Sequence, residues 1–128
     1  MSLARSAASR RLSQEQGQAA EARVALLLQA EGWRVLAQNW RRPAGELDLV
    51  VQRGGQLRFV EVKARTEGDD SALDAVDREK QRRLTRAAEA FLAEHEEPWD
   101  EASFLVAEVV LREGRWEISL LDDAFDAL

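Results

Sequence analysis

Two consecutive glycines, Gly54-Gly55, lie between two runs of alternating side chains at 46–52 and 57–64. Gly-Gly suits a two-residue β-hairpin loop, because type I′ and II′ turns need the positive φ that glycine adopts freely. A loop closed there sets the pairing of both strands. Arg53 faces Gln56, Asp48 falls opposite Glu61, and Glu46 falls opposite Lys63. On one face Leu47, Leu49 and Val51 meet Val62, Val60 and Arg58. On the other, Glu46, Asp48 and Val50 meet Lys63, Glu61 and Phe59. The second face is apolar near the turn and charged at its far end, the pattern of a sheet partly covered by a helix with an open cleft beyond.

Directly opposed Cβ atoms stand only about 4.5–5.5 Å apart, and like charges so placed destabilise a sheet. Asp48 against Glu61 is thus a poor structural pair and a good site for a divalent cation. A hard cation such as Mg²⁺ takes oxygen ligands, usually one or two carboxylates with waters and substrate phosphate. The Val62 carbonyl is a further candidate oxygen. Lys63 projects from the same face as Glu61. An ammonium there can orient or deprotonate an attacking water, or offset charge on a phosphorane-like transition state. A bound metal would lower the pKa of water and polarise the phosphoryl oxygen. The reaction class indicated is phosphodiester hydrolysis. The competing reading is a surface hairpin with a cross-strand Glu46–Lys63 ion pair, which leaves Asp48 against Glu61 unexplained.

The rest of the chain sets limits on that reading. Its 128 residues suffice for one domain with a real core, and its 45% hydrophobic and 33% charged residues are those of a water-soluble globular chain. With no cysteine and one histidine, His95, thiolate zinc sites and a histidine cluster are excluded. No apolar run approaches the roughly 20 residues of a membrane span. A cytoplasmic location is expected. Residues 1–12 read as a basic tail ahead of a single domain at 13–128, although their Arg, Ser and Ala content also resembles an organellar transit peptide. The net charge of −6 argues against nucleic acid when taken whole. Its distribution argues otherwise. Residues 1–65 hold 11 Lys and Arg against 6 Asp and Glu, whereas residues 66–128 hold 7 against 18. The basic half carries the carboxylate motif.

Ser13 and Gln16 form a capping box ahead of a helix expected to run to about residue 31, where Gly32 supplies the stop. Ala20, Val24, Leu27 and Leu28 make its apolar stripe. Gly17 lies on that side and suggests close packing. Glu21, at the stripe's edge, reads on this helix alone as a boundary residue with its head in water. A strand is expected at 34–38 and a basic loop at 41–45, ahead of the hairpin. A polar loop at 66–71 leads into a long helix expected at 73–94, with the stripe Val76, Leu84, Ala87 and Phe91. Lys80 lies inside that stripe, and snorkelling and a phosphate-facing role are both open to it. After Pro98 come an apolar interior strand at 104–111, a turn at Glu113-Gly114, an alternating strand at 116–121, and a tail at 122–128 with a short helix. The order is α-β-β-β-α-β-β, an α/β domain with a mixed central sheet flanked by helices. Of the four tryptophans, Trp40, beside Arg41 and Arg42, is the credible base contact.

Asp48 with Glu61-Val62-Lys63 resembles the PD-(D/E)xK signature of restriction-endonuclease-like nucleases, with Glu46-Leu47-Asp48 standing in place of Pro-Asp. The chain more closely resembles the YraN family of candidate endonucleases, which is similar to archaeal Holliday-junction resolvases. The segments that carry the likeness are Gly17-x-x-x-Glu21, Gly32-Trp33, Asn39-Trp40-Arg41, Gly45-Glu46-Leu47-Asp48-Leu49-Val50, Phe59 through Arg65, and Lys80-x-x-Arg83-Leu84. The resemblance implies a three-layer restriction-endonuclease-like fold, Asp48 and Glu61 as ligands of Mg²⁺ or Mn²⁺, and Lys63 as the catalytic lysine. It also implies that Glu21 reaches the site from the first helix. Arg41, Arg42, Arg65, Lys80 and Arg83 are the expected contacts to nucleic acid, DNA in preference to RNA, and a homodimer is the assembly common among junction-cutting enzymes of this kind. Leu105 stands where the family usually carries an aspartate.

Three functions compete on this basis. The first is a metal-dependent endonuclease acting on DNA, branched or damaged. The second is a non-catalytic nucleic-acid-binding module that retains the fold, favoured by Leu105 and the acidic second half. The third is a protein-interaction module, which leaves the carboxylate pair without a role.

Overall fold

A computed structural model describes residues 13–68 and 77–122. The element order is α1 (Gln14–Ala30), β1 (Arg34–Arg42), β2 (Gly45–Arg53), β3 (Gln56–Thr66), α2 (Arg78–Glu94), β4 (Glu101–Arg112) and β5 (Arg115–Asp122). The expected order α-β-β-β-α-β-β is the observed one. The expected tail at 1–12, the loop residues 69–71, the helix residues Leu73 and Val76, and the terminal helix beyond Asp122 lie outside the described residues. Among the described residues no helix is long and apolar enough to cross a membrane.

α1 begins as its sequence dictates. The Ser13 hydroxyl accepts the Gln16 N–H at 3.1 Å, and the Ser13 N–H donates to the Gln16 side-chain oxygen at 3.0 Å. Together these satisfy two of the orphan donors of a first turn. Ala20, Val24, Ala25 and Leu28 are buried, and the helix stops ahead of Gly32, whose φ is +94°. Gly17 departs from expectation. A Cβ built there would meet nothing within 4 Å, so this glycine makes no close contact.

The five strands are ordered β1-β2-β3-β4-β5. The β1–β2, β2–β3 and β4–β5 pairs are antiparallel, and β3–β4 is parallel with α2 as its crossover. The sheet is therefore mixed, and β4 lies inside it, as its apolar sequence requires. The hairpin register is the expected one from Arg53↔Gln56 to Leu49↔Val60. Gly54 has φ +59° while Gly55 has no positive φ, which fits a type II′ turn. The Gly55 carbonyl accepts N–H bonds from Asp100 and Glu101, and a Cβ at Gly55 would run into the Asp100 side chain.

Two boundaries differ from expectation. Arg41 and Arg42 belong to β1, paired with Glu46 and Gly45, so the loop shrinks to Pro43-Ala44. Continued ladder bonds satisfy backbone groups that a loop would leave to water. α2 begins at Arg78, because Asp77 takes an extended conformation (φ −80°, ψ 179°) and its carboxylate accepts the Lys80 N–H at 2.9 Å.

Strand alternation divides the core between the two faces of the sheet. Leu49, Val51, Val60, Leu105, Ala107 and Val109 pack with Ala20, Val24 and Leu28 of α1. Val50, Leu57, Phe59 and Phe104 pack with Leu84, Ala87, Ala88 and Phe91 of α2. One helix therefore covers each face, giving three layers. Leu47, beyond the last β2–β3 pair, joins the α2 cluster. At the hairpin tip fully buried Gln52 donates to the carbonyls of Gly54 and Pro98, at 3.0 and 2.9 Å. Its Oε1 is then the acceptor for His95 Nε2 at 3.0 Å, which fixes the proton of that histidine on Nε2.

Candidate functional site

The β2–β3 ladder ends at Leu49↔Val60, although both strands continue. β2 stays paired with β1 as far as Gly45, and β3 stays paired with β4 as far as Thr66. The sheet thus splits along one seam, with Asp48 and Glu61 flanking the split. Neither Asp48–Glu61 nor Glu46–Lys63 forms the direct ladder pair that unbroken register would give. Instead Asp48 Oδ2 accepts the Val62 N–H at 2.8 Å. A side chain takes the donor that a partner strand would otherwise use.

Alternation fails between Leu47, in the α2 cluster, and Leu49, in the α1 cluster, yet Asp48 and Glu61 share a cleft with Lys80 and Arg83 of α2, and Lys63 lies beside Glu61. Glu61 is 9% exposed. Its Oε1 lies 2.7 Å from Lys80 Nζ, delivered by α2, and 3.4 Å from Lys63 Nζ. Glu46 is exposed and sits 3.6 Å from Arg41, so its ion pair is within the β1–β2 hairpin. A cleft of about 390 Å³ is lined by Gly45, Glu46, Asp48, Glu61, Lys80 and Arg83 among others. One wall is set by Gly45, whose φ of +149° and closeness to Ala87 admit no side chain without displacement.

The electrostatics are those of a crowded, half-dry site. Burial, then the Glu61 charge, pushes the Asp48 carboxyl up to about 7, against the opposing pull of the Val62 N–H. Burial, then the neighbouring Lys80, brings Lys63 down to about 8. Burial also works against charge on Lys80, but its bonds to Glu61 and Lys63 outweigh that and raise its pKa above the usual lysine value. Glu21, half-buried on α1, is raised by burial, and its carboxylate bonds to Asn39 and feels the charges of Glu61 and Arg41. It also contributes to the rise of Asp48. The helix on one face thus reaches the electrostatic field of the site on the other, through the split.

Among the described residues no set of three or more His, Asp or Glu side chains is arranged to hold a metal ion. Asp48 and Glu61 offer two carboxylates, which is what Mg²⁺ usually takes from a protein before water and phosphate complete its shell. Glu21 stands outside that pair.

The expected nucleic-acid contacts divide into two groups. Lys80 and Arg83 line the cleft, and exposed Arg83 has no carboxylate partner among the described residues. Arg41 is exposed on β1. Arg42 is held in a bidentate pair with Glu94, at 2.9 Å for both bonds, and lies over the Trp40 ring. Arg65 is largely buried, 3.3 Å from Glu108. Trp40 packs edge-on against Phe91 at 5.6 Å, so its ring is taken up by core and cation contacts rather than presented for stacking. The bond from Lys80 to Glu61 joins residues 19 positions apart in sequence. Neither the position of Lys80 inside an apolar helical stripe nor the Lys80-x-x-Arg83-Leu84 likeness pointed to Glu61 as its partner.

The chain is thus an α/β protein whose mixed sheet opens at a carboxylate pair beneath a basic helix. Residues 20–118 match the model of the uncharacterised protein family UPF0102, and the chain belongs to that family. A UPF0102 protein of Synechococcus sp. (strain JA-3-3Ab) is 49% identical over 109 residues, covering 83% of each chain. One from Methylorubrum populi is 41% identical over 113 residues, 88% of this chain and 89% of the relative. One from Bradyrhizobium sp. (strain ORS 278) is 49% identical over 79 residues, 62% of this chain and 55% of the relative.

Proposed function

We propose that this protein is a Mg²⁺- or Mn²⁺-dependent endonuclease of restriction-endonuclease-like fold that hydrolyses phosphodiester bonds in DNA, branched or damaged. The observation that carries the reading is the split sheet, where Asp48, Glu61 and Lys80 line one cleft and Lys63 lies 3.4 Å from Glu61. Unbroken pairing would serve stability better. Interrupting it around buried acids makes sense where a ligand supplies the missing charge.

Asp48 and Glu61 would hold the cation. Bound there, the cation would polarise a phosphoryl oxygen and lower the pKa of coordinated water. Lys63 Nζ, with a pKa of about 8, can exchange a proton near neutral pH and would orient the attacking water. Arg83 at the cleft wall offers its guanidinium to a phosphate oxygen. Glu21 tunes the acids from the far side of the seam.

Purified protein should nick plasmid or branched DNA with Mn²⁺, and Asp48→Ala and Lys63→Ala should each abolish cleavage. Activity that survives both substitutions belongs to a contaminant and removes the assignment.

A non-catalytic nucleic-acid-binding module is favoured by one observation. Leu105 is 5% exposed in the core packed on α1, so that position brings no acid to the cleft. Salt-sensitive DNA binding without cleavage in Mn²⁺ would select this alternative.

A further inference from the structure

Two ammonium groups converge on a single carboxylate oxygen. Lys80 Nζ is 2.7 Å and Lys63 Nζ 3.4 Å from Glu61 Oε1. The two lysines are anchored differently. Lys63 stands on β3 two residues from Glu61, and its side chain is 12% exposed. Lys80 comes from α2, its side chain is 29% exposed, and it lines the cleft one helical turn before Arg83. Glu61 is buried, and a buried carboxylate needs a countercharge. Lys80 supplies it at the shorter distance.

We propose that Lys80 competes with the divalent cation for the Glu61 carboxylate, and that cation binding releases Lys80 into the cleft, where it contacts the substrate phosphate beside Arg83. The inference rests on Asp48 and Glu61 being the cation site. A cation at Glu61 repels an ammonium in contact with the same carboxylate, and Lys80, with more solvent around it and a helix backbone at a distance, is the one able to leave. Glu61 has a positive neighbour in both states, so the site is not left with an uncompensated acid before metal arrives. It also couples the two ligands, since phosphate gains its Lys80 contact once metal has displaced it.

The test is Mn²⁺ affinity in the absence of nucleic acid, measured by calorimetry on the full chain. Lys80→Met removes the competitor while keeping the side chain's length, and the Mn²⁺ dissociation constant should fall about tenfold, the equivalent of one charged hydrogen bond. The thermal stabilisation given by Mn²⁺ should grow accordingly. In the unaltered protein, the Lys80 ammonium resonance, shielded from exchange by Glu61, should broaden or shift as Mg²⁺ is added. That measurement stands even if Lys80→Met fails to fold. Unchanged or weaker Mn²⁺ binding by a folded Lys80→Met protein, or a Lys80 resonance indifferent to saturating Mg²⁺, overturns the exchange. Asp48→Asn separates the two readings. If it abolishes Mn²⁺ binding while Lys80→Met leaves affinity unchanged, the site stands and the exchange falls. If neither the unaltered protein nor Lys80→Met binds Mn²⁺, both fall.

Discussion

Asp48 Oδ2 accepts the N–H of Val62, the residue directly after Glu61, across the seam where the β2–β3 ladder has ended. The carboxylate is at once a structural acceptor and half of a like-charged pair. Burial, then the Glu61 charge, raises its pKa to about 7 although the Val62 N–H pulls the other way, and the rise has a sign that can be tested. A carboxyl whose folded pKa lies above its unfolded value of about 3.9 binds its proton more tightly when folded. Its contribution to stability is complete below about pH 4 and is lost as pH rises through 7, at a cost of as much as about 4 kcal/mol. Asparagine keeps the acceptor and removes the charge. Metal-free Asp48→Asn should therefore melt above the unaltered protein at pH 8, and the difference should shrink towards pH 5. Recovering about 1 kcal/mol corresponds to a rise of roughly 3–6 °C in Tm. A difference independent of pH would contradict the account.

Two glycines should respond to alanine with opposite signs. Gly45 has φ +149°, and an added Cβ would lie 3.2 Å from the Ala87 Cβ. Gly45→Ala should lower stability by about 1–3 kcal/mol and narrow the cleft. Gly17 sits in α1 with open space around it, so Gly17→Ala should raise stability by about 0.5–1 kcal/mol through helix propensity. Denaturant midpoints measure both.

The hairpin tip depends on Gln52. Gln52→Leu keeps the volume but leaves the Pro98 carbonyl and the His95 Nε2–H without their buried partner. A loss of about 2–3 kcal/mol is expected by chemical denaturation. The Asp48–Glu61 site lies at the other end of the hairpin, so Mn²⁺ affinity should be unchanged.

DNA binding should separate Arg83 from Arg65. Exposed Arg83 borders the cleft, whereas Arg65 is largely buried beside Glu108. Arg83→Ala should reduce the slope of log affinity against log salt by about 0.9, the share of one phosphate contact on duplex DNA. Arg65→Ala should leave the slope unchanged. A salt titration by fluorescence anisotropy distinguishes the two.

The sequence carried the hairpin register because Gly54-Gly55 admits few turns, and the pairing from Arg53↔Gln56 to Leu49↔Val60 follows from turn geometry alone. It carried the capping box and the interior position of β4, since each rests on local periodicity or a single turn of chain, whereas alternation breaks at Asp48, with Leu47 and Leu49 in different clusters. The split in the ladder was not legible. It depends on Asp48 outcompeting a backbone carbonyl for the Val62 N–H, a choice made between strands rather than along one. The Lys80–Glu61 contact was hidden for the same reason, as α2 must pack on the sheet before either residue is near the other. Arg41 and Arg42 read as loop because charge and a following proline suggest a break, yet pairing with Glu46 and Gly45 extends β1 through them. The start of α2 at Arg78 follows from Asp77, whose extended backbone and capping bond to the Lys80 N–H open the helix.

The central claim is that the split sheet holds a divalent cation between Asp48 and Glu61. Crystals grown with Mn²⁺ and measured for anomalous scattering test it most directly. The account predicts one strong peak in contact with oxygens of both side chains, at roughly the 2.1 Å typical of Mg²⁺–oxygen bonds, with Lys80 withdrawn from Glu61. No peak at saturating Mn²⁺, with the Lys80–Glu61 ion pair intact, would contradict it.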